Sequence, residues 1–365
     1  MKSLFCRDTL IFSDKHIFDN VNVDRNNISF FYFSGGTTGS PKVIPLSKNE
    51  LNNKAKYRAK CYQQIGITNS NRVAILLPFG PWVAGPSSFE AVREIGCTVF
   101  PMGLLKDETE VVYLFSIIKK HKIDTIITTP SFMDFFIKIL EKNRIELKLK
   151  FVITSGEFLP VFLREKIKKM TKAKAFSSYA CSETFIGCEC CEHNGFHYDP
   201  NNVKIKVFNK KLYITVYDSE TILLLNYKLG DVGFIKNECK CGLPLPKVIL
   251  TGRDKNIFVL SGAVNVYPYQ IVEFIKSNNI DTSECLIEIF DKDSEKIKFN
   301  FGFKTKKSKN KINIKNLTKL IKDLSLDFAD IYEQGLIKIE VKTFISSHAG
   351  NKLKITVNDK RKYEK

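Results

Sequence analysis

Ser34-Gly35-Gly36-Thr37-Thr38-Gly39-Ser40-Pro41-Lys42 is the stretch on which the reading of this chain turns. It follows Ile28-Ser29-Phe30-Phe31-Tyr32-Phe33, a run of aromatic and β-branched residues that reads as a strand, and it precedes a second short strand, Val43-Ile44-Pro45-Leu46. Glycine permits backbone angles that aim successive amides at one anion, while the hydroxyls add donors and the lysine a cation. A loop of this kind can cradle a phosphate chain. It is not of the Walker type, because no Gly-Lys-Ser/Thr closes it, and taken alone it also fits a plain hairpin connection. Ser47, followed by Glu50, predicts a helix start with a capping box.

Further apolar strand candidates are Val73–Leu77, Cys97–Pro101, Thr125–Thr129 and Phe151–Thr154, separated by helical patterns such as Glu108–Lys120 and Ser131–Lys142. This alternation predicts an α/β layered domain with a mostly parallel sheet, whose ligands gather at the carboxyl ends of the strands. Beyond about residue 200 the pattern changes to short strands at Val203–Val207, Lys211–Val216, Ile222–Tyr227 and Val232–Ile235. From Asn256 it reads as a small α+β unit: a strand, the helix Tyr269–Ser277, a strand pair at Glu284–Phe290 and Ile297–Phe303, a helix near Ile314–Leu324, and a last strand Ile337–Lys342 before the tail. The charged stretch around Thr251–Lys255 sets the expected division at 1–254 and 255–365.

Composition bounds the rest. The chain has 365 residues, 44% hydrophobic and 26% charged, enough apolar material for a large core, which excludes disordered and collagen-like classes. No uninterrupted apolar run of membrane-spanning length and no export-type leader is visible, so a soluble cytoplasmic protein without membrane partners is expected. The net charge of +18 raises nucleic acid as a partner, but half of it sits in residues 301–365, where lysines alternate with Asn, Ile and Asp; a solvated face is the plainer reading, and no nucleic-acid partner is expected. Six of the 10 cysteines cluster at Cys181, Cys188, Cys190, Cys191, Cys239 and Cys241, with His193 and His197 beside them. In a chain without an export signal this favours metal over disulfides, and a tetrahedral structural zinc on Cys191, His197, Cys239 and Cys241 is expected, with Cys190 or His193 as substitutes. The competing reading is a set of free, half-buried thiols.

The loop Ser34–Lys42 resembles, nearly position for position, the phosphate loop of the adenylate-forming ligases, the superfamily of acyl-CoA synthetases, peptide-synthetase adenylation domains and luciferases. Further segments follow in the family's order. Ser155-Gly156-Glu157 resembles the segment lining the adenine and ribose side. Ser178-Tyr179-Ala180-Cys181-Ser182-Glu183 is similar to the Tyr-Gly-x-Thr/Ser-Glu motif, which implies that Tyr179 stacks on adenine and that Glu183 holds the Mg²⁺ bridging the phosphates. Tyr227-Lys228-Leu229-Gly230-Asp231 resembles a motif whose aspartate takes the ribose hydroxyls, and Gly252-Arg253-Asp254-Lys255-Asn256 resembles the hinge motif, with Arg253 on ribose or phosphate and Lys255 as pivot. Gly350-Asn351-Lys352-Leu353-Lys354 is similar to the segment bearing the catalytic lysine; Asn351 splits the usual Gly-Lys pair, which leaves Lys352 as first choice and Lys354 as alternative.

Ser261-Gly262-Ala263-Val264-Asn265-Val266-Tyr267-Pro268-Tyr269-Gln270-Ile271, the Ser-Glu pair at Ser182–Glu183 and the Cys/His set resemble the phenylacetate–CoA ligase branch. The resemblance implies the adenylate-forming fold, with a large layered N-terminal domain and a small mobile α+β lid. It implies ATP, Mg²⁺, and coenzyme A or a phosphopantetheine as cofactors and acceptor. The implied reaction is adenylation of a carboxylic acid followed by thioester formation on coenzyme A by an AMP-forming acid–thiol ligase. The stretch Pro78-Phe79-Gly80-Pro81-Trp82-Val83-Ala84-Gly85, similar to an aromatic segment near the family's substrate, points to an aryl or arylacetic acid. Alternatives are loading of an acyl carrier protein or protein thiol, and an inactive zinc-stabilised nucleic-acid-binding protein on the same fold. The state of assembly is left as monomer or homodimer.

Overall fold

The computed structural model describes residues 25–33, 43–105, 107–222, 224–253, 258–260, 264–266, 268–290, 295–304, 313–322, 332, 337–346 and 354–359. It divides into two compact units, the second beginning at Thr251 and also including Pro160–Phe162 and Gly230–Val232. The sequence reading sets the division four residues later, at 254/255.

In the first unit β1 (Ile28–Phe33) pairs antiparallel with β2 (Val43–Ser47). Ser47 ends β2 and starts α1 (Lys48–Gln64): its Oγ accepts the Glu50 amide at 3.1 Å, and Glu50 Oε2 accepts the Ser47 amide at 3.0 Å. This is the expected capping box, and it fixes where the helix begins.

Strands and helices then alternate: β3 (Arg72–Leu76), α2 (Ala84–Ile95), β4 (Thr98–Pro101), α3 (Glu108–Lys120), β5 (Thr125–Thr128), α4 (Pro130–Lys142), β6 (Phe151–Ser155), α5 (Val161–Thr171) and β7 (Lys174–Ala180). Parallel pairs join β3 to β4 and β5, β5 to β6, and β6 to β7. These strands read as continuous apolar runs because both faces are covered; Val73, Ala74, Ile75 and Leu76 are fully buried. α5 is tied by a buried ion pair to the end of the strand that follows β7. Arg164 Nη2 donates to both carboxylate oxygens of Glu189 at 3.0 and 2.9 Å, and the Ser177 amide donates to Glu189 Oε2 at 2.7 Å.

After β7 the chain reverses. β8 (Phe185–Glu189) runs antiparallel to β7, and β9 (Phe196–His197) antiparallel to β8. β10 (Val203–Phe208) and β11 (Lys211–Val216) form a hairpin closed by Asn209 and Lys210, both at positive φ (48° and 62°), the two-residue turn whose twist suits a hairpin. β12 (Tyr227–Lys236) and β13 (Lys247–Arg253) complete an 11-stranded sheet ordered β10-β11-β12-β13-β9-β8-β7-β6-β5-β3-β4. One half is parallel and layered by helices; β7, β8 and β9 mark the change to antiparallel pairing. Of the strand expected at Ile222–Tyr227, Leu223 lies outside the described residues, and Tyr227 opens the longer β12.

The second unit contains β14 (Phe258–Leu260) paired with β15 (Val264–Val266), and then α6 (Pro268–Ser277). β16 (Glu284–Phe290), β17 (Glu295–Phe303), α7 (Ile314–Lys322), β18 (Ile337–Ile345) and β19 (Lys354–Asp359) follow. The four long strands are ordered β18-β17-β16-β19 around a core of Ile275, Ile287, Ile289, Ile297, Phe299 and Phe301. β19 corrects the reading of the chain's end as a tail: Ile355 and Val357 alternate with polar residues, and the strand pairs parallel with β16.

Candidate active site and cysteine–histidine cluster

The expected phosphate loop residues Ser34, Gly35, Gly36, Thr37, Thr38, Gly39 and Lys42 lie outside the described residues, as do the pivot Lys255 and the expected catalytic Lys352. Arg253 is the last residue of β13, and Asp231 lies on β12, buried.

The remaining expected nucleotide residues gather at the carboxyl ends of two adjacent parallel strands, where such sheets place their ligands. Ser155 ends β6 and is paired in register with Ser178 of β7. Both are buried, and Ser178 Oγ donates to the Thr154 carbonyl at 3.2 Å. Gly156 follows at φ +80°, a backbone conformation that side chains rarely adopt. Glu157 is engaged elsewhere: its two oxygens accept the amide and hydroxyl of Ser131 at 3.0 and 2.8 Å, holding the first turn of α4. Tyr179 is buried, its ring tilted 39° against Phe196 at a centroid distance of 5.4 Å.

Between β7 and β8 lies a tight turn in which the Cys181 amide donates to the Thr184 carbonyl at 2.9 Å. Ser182 and Glu183 form its corner, half-buried. Glu183 Oε1 accepts a hydrogen bond from Tyr227 Oη at 2.6 Å, the short contact expected of a hydroxyl on a carboxylate. Burial, and then the Glu183 charge, raise the Tyr227 hydroxyl far above its ordinary range, so it stays a donor. Burial, followed by the same carboxylate, also raises the Cys181 thiol. From α1, Lys54 Nζ donates to the main-chain carbonyl of Glu183 at 3.0 Å. Burial lowers the Lys54 ammonium against the opposing pull of Glu50, Cys181, Glu183 and Asp218. The Tyr227 contact could be suspected from its motif; Lys54 sits in no motif, and only the fold brings it to the turn.

The aromatic segment before α2 packs inward. Phe79, Val83 and Ala84 are partly buried against the large core of the first unit. Gly85 admits no side chain, since a Cβ there would lie 2.5 Å from the Pro78 carbonyl and 2.9 Å from the Phe79 ring.

A second cluster forms where β8, β9 and the β12–β13 connection meet. Cys190, His197, Cys239 and Cys241 offer ligand atoms that all lie within 4.8 Å of one another. Cys190 Sγ is 3.6 Å from Cys239 Sγ, and His197 Nε2 is 3.4 Å from Cys241 Sγ. His197 Nδ1 is 2.9 Å from the Leu245 carbonyl, a pure acceptor, so Nδ1 carries the proton and Nε2 presents its lone pair to the sulfurs. Lys247, itself buried, has Nζ at 3.4 Å from Cys239 Sγ. Burial opposes ionisation of the Cys239 thiol, but the Cys241 amide and then the neighbouring side chains of His197, Cys241 and Cys190 outweigh it and bring the thiol down to about 6.

Cys191, which the sequence reading places in this set, is exposed and outside it; Cys190 takes its place. The reason is a turn: the His193 amide donates to the Cys190 carbonyl at 3.1 Å, which puts Cys191 and Glu192 at the solvent corner and keeps Cys190 inside.

Comparison with known proteins accords with this arrangement. The sequence profile of the AMP-binding enzyme family, described as "AMP-binding enzyme", matches residues 7–222. Phenylacetate–coenzyme A ligase of Pseudomonas putida is 24% identical over 311 residues, covering 76% of this chain and 69% of that protein. The enzyme of the same name from Thermus thermophilus is 25% identical over 279 residues, covering 71% and 62%. The chain thus spans roughly two thirds of the length of these relatives. Among solved structures, 2-hydroxyisobutyryl-CoA ligase, in an open conformation with 2-HIB-AMP and CoA, superposes with a TM-score of 0.68 at 14% identity over 91% of this chain and 76% of that one. The fold is the one shared by the adenylate-forming ligases. The chain belongs to the AMP-binding enzyme family, on the phenylacetate–coenzyme A ligase-like branch of the AMP-forming acid–thiol ligases.

Proposed function

We propose that this chain activates a carboxylic acid with ATP, giving an acyl-adenylate and pyrophosphate, and then transfers the acyl group to the thiol of coenzyme A. The observation that carries this reading is the meeting of two separate motif segments, Ser155–Gly156 and Tyr179–Glu183, at the carboxyl ends of β6 and β7, with Tyr227 holding the Glu183 carboxylate.

A carboxylate is a poor acyl donor because its leaving group would be oxide. In the first step a carboxylate oxygen bonds to the α-phosphorus of ATP, and the bond from that phosphorus to the pyrophosphate breaks. In the second step the thiol sulfur bonds to the acyl carbon, the thiol proton is lost and AMP leaves. The charge developing in the first step must be neutralised. That is the proposed work of Ser34, Gly35, Gly36, Thr37, Thr38, Gly39 and Lys42, together with Arg253 and Lys352. Glu183, a hard oxygen donor held by Tyr227, suits the Mg²⁺ that accompanies ATP, an ion commonly bound through one carboxylate plus the substrate's phosphates. Asp231 would take the ribose. Tyr179 would stack on the adenine, which requires its ring to turn out of its present burial against Phe196. Lys255 would be the pivot that brings Lys352 in.

The phenylacetate-named relatives favour an aryl or arylacetic acid, while the packing of Phe79 against the core gives that segment a structural role instead. The surplus of lysine in residues 301–365 keeps an acidic carrier protein as the alternative acceptor. Pyrophosphate exchange across a panel of aryl, alkyl and amino acids tests the first step, and coenzyme A against carrier proteins tests the second. Exchange with at least one acid is expected; absence with every acid would overturn the reading.

The cysteine–histidine cluster is proposed to hold a structural zinc. Three sulfurs and one imidazole within 4.8 Å of one another form the donor set of closed zinc sites, and a closed site leaves no position for catalytic water. Three thiolates on a dication leave one negative charge, and the Lys247 ammonium lies beside it.

A further inference from the structure

The corner that carries Glu183 is fastened to α1 by a largely enclosed cation. Lys54 Nζ donates to the Glu183 carbonyl at 3.0 Å and lies 3.9 Å from Glu50 Oε1, with the Lys54 side chain only 13% exposed. Glu50 is immobile in turn: its carboxylate accepts the Ser47 amide at 3.0 Å, the Glu220 amide at 3.0 Å and Thr221 Oγ1 at 2.6 Å. Enclosing a lysine costs both hydration and side-chain freedom, so a surface-type role does not account for it. A carbonyl at the corner of a two-strand turn could be hydrated by water; here it is instead held by a cation anchored to a carboxylate. α1 follows directly on β2, which begins at the residue after Lys42, so the fastening joins the element downstream of the proposed phosphate loop to the turn bearing the proposed magnesium carboxylate.

We propose that Lys54 is a positioning residue for metal–nucleotide binding: by holding the main chain of the Cys181–Thr184 turn it fixes the direction of the Glu183 carboxylate without itself touching the nucleotide. This inference rests on the ligase reading above. Partners one shell behind a metal-binding group typically contribute 10–100-fold in metal affinity.

The test uses Mn²⁺–ATP as a paramagnetic probe, with binding to the full chain followed by water-proton relaxation, and pyrophosphate exchange measured in parallel. Lys54→Met is expected to weaken Mn²⁺–ATP binding by about tenfold or more. The KM for Mg²⁺–ATP should rise in step, while kcat at saturation changes less. Lys54→Arg, which keeps a charged donor, should recover most of the loss. Unchanged binding in Lys54→Met, or equal loss in Lys54→Met and Lys54→Arg, overturns the proposal. Should Lys54→Met not fold, Lys54→Gln, whose shorter arm cannot reach the carbonyl, is read by the same criteria. Wild-type protein that binds no Mn²⁺–ATP would defeat the ligase reading itself, whereas wild-type binding matched by the variants defeats the role of Lys54 alone.

Discussion

Removing the proposed zinc from the cysteine–histidine cluster should unfasten the antiparallel half of the large sheet. Cys190 directly follows β8, and Cys239 lies in the connection between β12 and β13; a zinc joining them closes a loop of about 50 residues, and cross-linking a loop of that length removes about 4 kcal/mol of unfolded-chain entropy. For a unit of this size each kcal/mol corresponds to about 2–4 °C in Tm, so stripping the metal should lower the melting temperature by about 8–16 °C. The assay is metal analysis of freshly purified protein, then thermal unfolding followed by circular dichroism with and without a strong chelator. Cys190→Ser and Cys239→Ser should each lose the metal and melt near the chelated value. Cys191→Ser should retain both metal and melting temperature, since its side chain lies at the solvent corner. Protein that purifies without stoichiometric zinc and melts unchanged in chelator would refute the reasoning; zinc retained in Cys190→Ser but lost in Cys191→Ser would refute the ligand assignment.

Other perturbations follow from individual contacts. Arg164→Met leaves Glu189, 7% exposed, without its bidentate partner, and should cost about 3–5 kcal/mol in urea unfolding; a loss below about 1 kcal/mol would show that the pair is no more than a surface contact. Tyr227→Phe removes the hydroxyl from Glu183 Oε1 and should weaken Mg²⁺–ATP utilisation in pyrophosphate exchange by about tenfold or more, with unfolding unchanged to within about 1–2 kcal/mol. Lys352→Ala should abolish adenylate formation yet preserve thiol transfer from supplied acyl-adenylate, while Lys354→Ala should leave both steps intact; the reverse would move the catalytic role to Lys354.

The fold was legible wherever local chemistry and long-range packing agree. Ser47 and Glu50 announce α1, and Glu108–Lys120 has a capping aspartate before it and a helical apolar stripe within it. β7 escaped because Lys174-Ala175-Phe176-Ser177-Ser178 is neither alternating nor strongly apolar; it is a strand because β6 and β8 flank it on either side. At the site, spacing located the cysteine cluster but could not choose between Cys190 and Cys191. Adjacent cysteines look alike in sequence, and the choice is made by a hydrogen bond from His193 that sets the corner. Glu157 and Lys54 show the same limit from opposite sides. Glu157 lies in a recognisable segment, yet its carboxylate holds a helix start, while Lys54 lies in no segment and is carried to the Glu183 turn by α1. A motif reports which residues are near one another in the chain; which atoms face a ligand is decided by elements distant in sequence.

The Glu50 carboxylate has a bearing on how this protein is made. Its partners Ser47 and Lys54 leave the ribosome with it, but Glu220 and Thr221 are separated from it by 170 and 171 positions. At about 5–20 residues per second, synthesis needs roughly 10–30 s to supply them. Through that interval a carboxylate destined to be 1% exposed must remain hydrated, so α1 cannot settle against the growing sheet in its final place. The parallel first half, which looks on paper like a cassette that could be cut out and moved, therefore lacks two partners of Glu50 until the chain has passed Thr221, and a version ending before that residue should be less stable.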